Sequence, residues 1–192
     1  YFADPWEAQV FRESTFALFD VPEPPRLSPN QKLRTLVLNR KKTKGHSKHM
    51  ANFLDVMLML DDTGLSTLEK WLPDGWVPPI YMEKLTFKQQ ITIMRYTDVL
   101  VAIHGSALNN AQFMEPGSVV IGVMPSNYVE YEWLDFAQSA GITFLMQPNT
   151  DFGRSAHDCD AHPAHCEVEP RPWKNKNKEC QGMWYCDTNV DI

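Results

Sequence analysis

Between residues 34 and 146, short runs rich in Val, Ile and Leu alternate with longer stretches whose apolar residues recur at helical spacing. The runs at 34–39, 98–103, 118–124 and 142–146 read as buried strands, with a weaker one at 80–82. Between them, Met50, Phe53, Leu54, Met57 and Leu58 mark a helix, with Ser47 as its cap and Gly64 as its stop. Thr86 caps a second helix carrying Phe87, Gln90, Ile91 and Met94. A short helix covers 107–114, and another covers 128–140 and ends at Gly141. Strands separated by helices are joined by crossovers, so the pattern predicts a parallel sheet with right-handed connections. The fold class is α/β: a Rossmann-like sheet with helices on both faces over residues 31–150.

The flanks differ. Residues 1–30 combine Trp6, Phe11, Phe16 and Phe19 with the run Val21-Pro22-Glu23-Pro24-Pro25, which resists helix and ladder bonding. They read as a linker or wrap-around segment whose aromatics pack on a neighbouring domain. Residues 151–192 are polar and irregular and hold all four cysteines, Cys159, Cys166, Cys180 and Cys186. Two disulfides in an oxidising compartment are the favoured reading. Free buried thiols remain an alternative, as does a metal site with His157, His162 and His165, although no C-x₂-C pair is present.

Charge and motifs exclude several functions. A net charge of −6 repels phosphodiester backbones and argues against general nucleic-acid binding. No G-x-G-x-x-G follows the first strand, which argues against a dinucleotide enzyme. There is no N-x-[ST] sequon and no apolar run long enough to span a bilayer. The chain starts at Tyr1 and is expected to be part of a longer protein, with any membrane anchor upstream.

Ligands of an open parallel sheet bind at the carboxyl ends of its strands. Two strand ends carry suitable residues. Arg40-Lys41-Lys42-Thr43-Lys44-Gly45-His46 follows the first strand, and its leading guanidinium can grip a phosphate with paired bonds. The bland alternative is a solvated basic loop. His104-Gly105-Ser106-Ala107-Leu108-Asn109-Asn110 follows the run at 98–103. Gly105 permits a sharp turn, and the amides after it, at a helix start, suit a diphosphate. A plain strand-to-helix turn with a satisfied histidine is the alternative. Asp98 opens a strand and so belongs at the opposite edge. Glu130, Glu132 and Asp135 read as helix-surface charges, with ribose binding the lesser alternative, Tyr131 and Trp133 as core or lid aromatics more than base-stacking groups, and Lys174 and Lys176 as surface cations.

The stretch from Thr97 to Met114, continued by Glu115-Pro116-Gly117-Ser118-Val119-Val120-Ile121-Gly122-Val123-Met124-Pro125, resembles the signature of glycosyltransferase family 61. In that signature a strand runs into H-G-A-G-L-T-N, a helix, and F-x-P-P-G-S-V-V-x-E-x-x-P. The upstream order, with a strand ending at Arg40 and Leu85-Thr86-Phe87-Lys88-Gln89-Gln90 entering a helix, matches too. Two departures stand out: Ala107 replaces the second glycine, and Gly122 replaces the usual acid. The resemblance implies the C-terminal half of a GT-B enzyme of the ER or Golgi lumen, possessing a type II anchor if one lies upstream. It implies inverting, metal-independent transfer of a hexose or pentose, without a cofactor, from a UDP-sugar to a hydroxyl of a glycan or glycoprotein. It implies that Arg40, Lys44, His104, Gly105, Ser106, Ala107 and Asn109 hold the nucleotide diphosphate. The catalytic base is expected on an N-terminal domain of the same protein. A non-catalytic nucleotide-binding or scaffold module is the alternative.

Overall fold

The computed structural model describes residues 4–39, 50, 52–63, 66–67, 81–124 and 132–148. Its strands are β1 (Arg34–Leu38), β2 (Ser66–Thr67), β3 (Val99–Ile103), β4 (Val119–Met124) and β5 (Thr143–Pro148). All pairings are parallel, in the order β2-β1-β3-β4-β5. The register aligns Leu36 with Leu100 and Leu100 with Val120, so each face of the sheet carries continuous rows.

Alternation along the strands feeds two cores. On one face, Leu36, Leu38, Leu100, Ala102, Val120 and Met124 pack under α1 (Pro5–Phe19), α3 (Phe87–Arg95), α4 (Glu132–Ala140) and a 3₁₀ helix, Ser106–Phe113. On the other face, Val37, Val101, Ile103 and Val123 pack with Met50 and with Phe53, Val56 and Leu60 of α2 (Phe53–Asp62). Helices thus lie on both faces, as the alternating sequence predicts.

Within residues 1–30, read from sequence as a linker or wrap-around segment, Pro5–Phe19 is helical. Asp4 caps α1 by accepting from the Glu7 amide at 2.9 Å, and proline stands in its first turn. The helix docks on this domain. Phe16 is buried, Phe11 meets Phe113 at 5.8 Å, and Phe19 meets Phe87 edge-on at 5.1 Å, while Trp6 remains exposed. Arg12 is also buried; its Nη1 donates to the carbonyls of Ala140 (3.4 Å) and Gln112 (3.5 Å), at the ends of α4 and the 3₁₀ helix. Helix ends leave such carbonyls without partners, and a cation there also meets the favourable end of the dipole. Burial lowers the Arg12 pKa from its ordinary value, and Glu115 pulls it back up. The proline-rich run Val21-Pro22-Glu23-Pro24-Pro25 begins only after α1. Arg95 Nη1 holds the Val21 carbonyl, and the Tyr96 hydroxyl donates to the Glu23 carbonyl at 3.3 Å, strapping the segment to α3.

Other elements depart from expectation. In α2 the buried residues are Phe53, Val56 and Leu60, whereas Leu54 and Leu58 are 73% and 67% exposed. The helix is apolar on nearly every side, so its periodicity cannot select a face. Tyr81 and Met82 form no strand; Met82–Lys84 is a 3₁₀ turn ended by a Leu85 N–H to Met82 carbonyl bond of 3.0 Å. The Thr86 cap is present as a capping box with Gln89. The predicted helix at 107–114 is the 3₁₀ segment Ser106–Phe113. Ser47, Gly64, the Pro- and Gly-rich stretch 71–79, Tyr131 and the whole of 151–192, with its cysteines, lie outside the described residues.

Candidate functional site

Strand order creates the site. From β1 the chain leaves toward β2 by way of α2 on one face, and it reaches β3 by way of α3 on the other. Neighbouring strands whose connections diverge in this way leave a crevice at their carboxyl ends. Here it is a cleft of about 350 Å³ between β1 and β3. Leu38 and Asn39 at the end of β1 and Ala102 and Ile103 at the end of β3 form its base, with Ser106, Ala107, Asn109 and Asn110 on one wall. Met82, Glu83 and Gln90 complete it.

Gly105 makes the wall. Its φ of 152° and ψ of 177° fall in a region that only glycine occupies comfortably. The turn starts the 3₁₀ helix at once: Leu108 N–H donates to the Gly105 carbonyl at 3.0 Å. The amides of Ser106 and Ala107 precede that first bond, so the helix itself supplies them no acceptor. Both residues line the cleft.

His104 sits differently. Its backbone N–H extends the ladder to the Val123 carbonyl at 2.8 Å. Its ring is buried edge-on to Trp133, centroids 6.5 Å apart, and it is not among the residues lining the cleft. Ser106, Ala107 and Asn109 are brought together at the cleft, whereas Arg40 and Lys44 lie outside the described residues, as does Glu130. Asn39, which lines the cleft, accepts from the Met50 amide at 2.8 Å and donates to the Met50 carbonyl at 3.1 Å.

Among the described lining residues Glu83 is the one charged group, and it is anionic. The basic run at 40–44 follows Asn39 directly in the sequence and lies outside the described residues. Asp98 is at the opposite edge: Arg34 Nε and Nη2 grip its two carboxylate oxygens at 2.8 Å each. Glu132 and Asp135 belong to α4 and do not line the cleft, and Trp133 is a core residue. Among the described residues no group of His, Cys, Asp or Glu is arranged to hold a metal ion, and no helix is long and apolar enough to cross a membrane.

Sequence reasoning left Asn39, Glu83 and Gln90 out of the site, although it included Asn110 in the turn that starts at His104. Gln90 had a readable signal, since it is polar on the same helical stripe as Phe87, Ile91 and Met94. Its Nε2 donates to the carbonyls of Met82 (3.0 Å) and Leu85 (3.1 Å), and its Oε1 accepts from Asn110 at 3.1 Å.

The family model described as Glycosyltransferase 61 matches residues 5–121, which takes in α1, the cleft and the first half of β4. The chain belongs to glycosyltransferase family 61. No curated protein matches it. The match to this glycosyltransferase family opens in α1, well ahead of the strand at which the signature was first legible. It closes one residue before Gly122. In this family 61 chain a Cβ at Gly122 would stand 2.6 Å from Phe144 Cζ and 2.9 Å from Met124 Cε. The neighbouring strand thus fills the space that an acidic side chain would need.

Proposed function

We propose that this family 61 glycosyltransferase moves a sugar from a nucleotide diphosphate donor, a UDP-sugar, to a hydroxyl of a glycan or glycoprotein, with inversion. The observation that carries the proposal is the β1/β3 cleft, whose wall offers the Ser106 and Ala107 amides beside the root of a basic segment. As the acceptor oxygen attacks the anomeric carbon, the leaving diphosphate gathers negative charge. Amides and cations already aimed at it favour the transition state over the ground state. In this reading Arg40 and Lys44 supply the charge, and Gly105 supplies the backbone shape. His104, packed on Trp133, holds the turn in place rather than touching the ligand.

The same reading makes the chain the donor-binding half of a GT-B enzyme, with the catalytic base on an N-terminal domain of the same protein. It places the protein in the ER or Golgi lumen, with a type II membrane anchor upstream, and pairs Cys159, Cys166, Cys180 and Cys186 in two disulfides. The test is transfer by the full-length protein from a panel of UDP- and GDP-sugars. Arg40→Ala is expected to lose roughly 100- to 1000-fold in activity while remaining folded, the usual effect of removing one charged donor from a transition state. Full activity in a folded Arg40→Ala protein contradicts the assignment.

Gly122 favours a second reading, a nucleotide-binding or scaffold module without catalysis, because Phe144 occupies the place of the family's acid. Hydrolysis or transfer of any nucleotide sugar by the full-length protein excludes it.

A further inference from the structure

The cleft wall contains two side-chain amides whose orientations are set by the backbone of the Met82–Leu85 segment. Backbone carbonyls only accept hydrogen bonds. The Met82 and Leu85 carbonyls, at 3.0 and 3.1 Å, therefore fix the Gln90 amide with its nitrogen toward them. Gln90 Oε1 is then the atom facing Asn110, and it can only accept, so Asn110 turns its Nδ2 toward it at 3.1 Å. The Asn110 Oδ1 is left as an acceptor with no partner among the described residues. Asn110 lines the cleft three residues after Ala107, roughly 6 Å further along a 3₁₀ axis. That offset from a phosphate suits a hydroxyl, on the ribose or on the donor sugar.

We infer that Gln90 is a positioning residue that holds Asn110 Oδ1 ready to accept a hydrogen bond from a hydroxyl of the bound nucleotide sugar. The inference rests on the nucleotide-sugar reading of the cleft and adds a selectivity to it. The Met82–Leu85 segment enters the site through this relay: its carbonyls do not touch the ligand but decide which atom of Asn110 does. A ligand group that only accepts is disfavoured at this point, because it meets a lone pair.

Calorimetric titration of the full-length protein tests this with UDP, 2′-deoxy-UDP, 3′-deoxy-UDP and UDP-N-acetylglucosamine as probes, on wild type, Gln90→Met and Asn110→Ala. Wild type is expected to discriminate by about 5- to 10-fold, the worth of one hydrogen bond. If the hydroxyl is on the ribose, one deoxy form binds more weakly than UDP. If it is on the sugar, UDP-N-acetylglucosamine binds more tightly than UDP. Either discrimination is expected to vanish in both variants, while the ligand lacking the hydroxyl binds all three proteins alike. Asn110→Ala alone decides the question if Gln90→Met fails to fold. Unchanged discrimination in a folded variant, or equal weakening of every ligand, overturns the inference and leaves the nucleotide-sugar reading standing. Failure of wild type to bind any of these ligands overturns both.

Discussion

Gly122 and Phe144 meet across β4 and β5, and their contact shows how a single position can be read as loss of function or as packing. A Cβ at 122 would press on the Phe144 ring at 2.6 Å. Gly122→Ala is therefore expected to destabilise the fold by about 1–3 kcal/mol, the usual penalty of overpacking. Adding Phe144→Ala should make the double variant less unstable than the sum of the two, which a double-mutant cycle by denaturant unfolding measures. Additive effects would show that Phe144 is not what excludes a side chain. At the amino edge of the sheet the Arg34–Asp98 fork is a structural clamp. Asp98 keeps about a fifth of its side-chain surface, 22%, so Asp98→Ala is expected to cost about 3 kcal/mol, the low end for stranding a buried charge. UDP affinity should not change, because the fork and the cleft lie at opposite ends of the strands. A fall in affinity in a folded Asp98→Ala protein would contradict that separation.

At the scale of elements, the strands were legible because alternation and β-branching act locally. The run at 34–39 predicts β1 and the run at 98–103 predicts β3 to within a residue. What escaped depends on partners distant in sequence. Residues 5–19 carry charges and exposed aromatics in an order that local pattern leaves ambiguous, and with the prolines at 22–25 the sequence supports either a linker or a wrap-around segment. Their helix is fixed by Phe113, more than ninety residues away, and by an arginine that reaches the carbonyls ending two other helices. In α2 the choice of face belongs to the sheet, since Leu54 and Leu58 are as apolar as the residues that become buried. Phe113 is 2% exposed and meets Phe11, Phe16 and Phe87 at 5.8, 6.4 and 5.8 Å. Phe113→Ala is expected to cost about 3–5 kcal/mol in denaturant unfolding and to loosen α1 first. Loosening appears as faster amide exchange within α1 than in β3. Uniform exchange through both elements would show that α1 is not held by this cluster.

For the whole molecule, strand order determines where chemistry can occur. The sequence reading reached the Ser106–Asn109 wall because a glycine turn after the strongest strand is a local signal. It missed Gln90, Glu83 and Asn39 because they come to the cleft from the entry of α3, a 3₁₀ turn and the end of β1, and only the β2-β1-β3 arrangement brings them together. It also assigned His104 to the ligand; in the fold that ring is buried edge-on to Trp133, on a helix that starts almost thirty residues later. The central claim is that a nucleotide diphosphate lies on the amides that follow Gly105. Backbone NMR of the full-length protein during a UDP titration tests it most directly. The account predicts the largest amide shifts at Ser106 and Ala107, saturating with binding and absent in Gly105→Val. Binding that leaves those two amides unmoved, with the shifts elsewhere in the molecule, would contradict it.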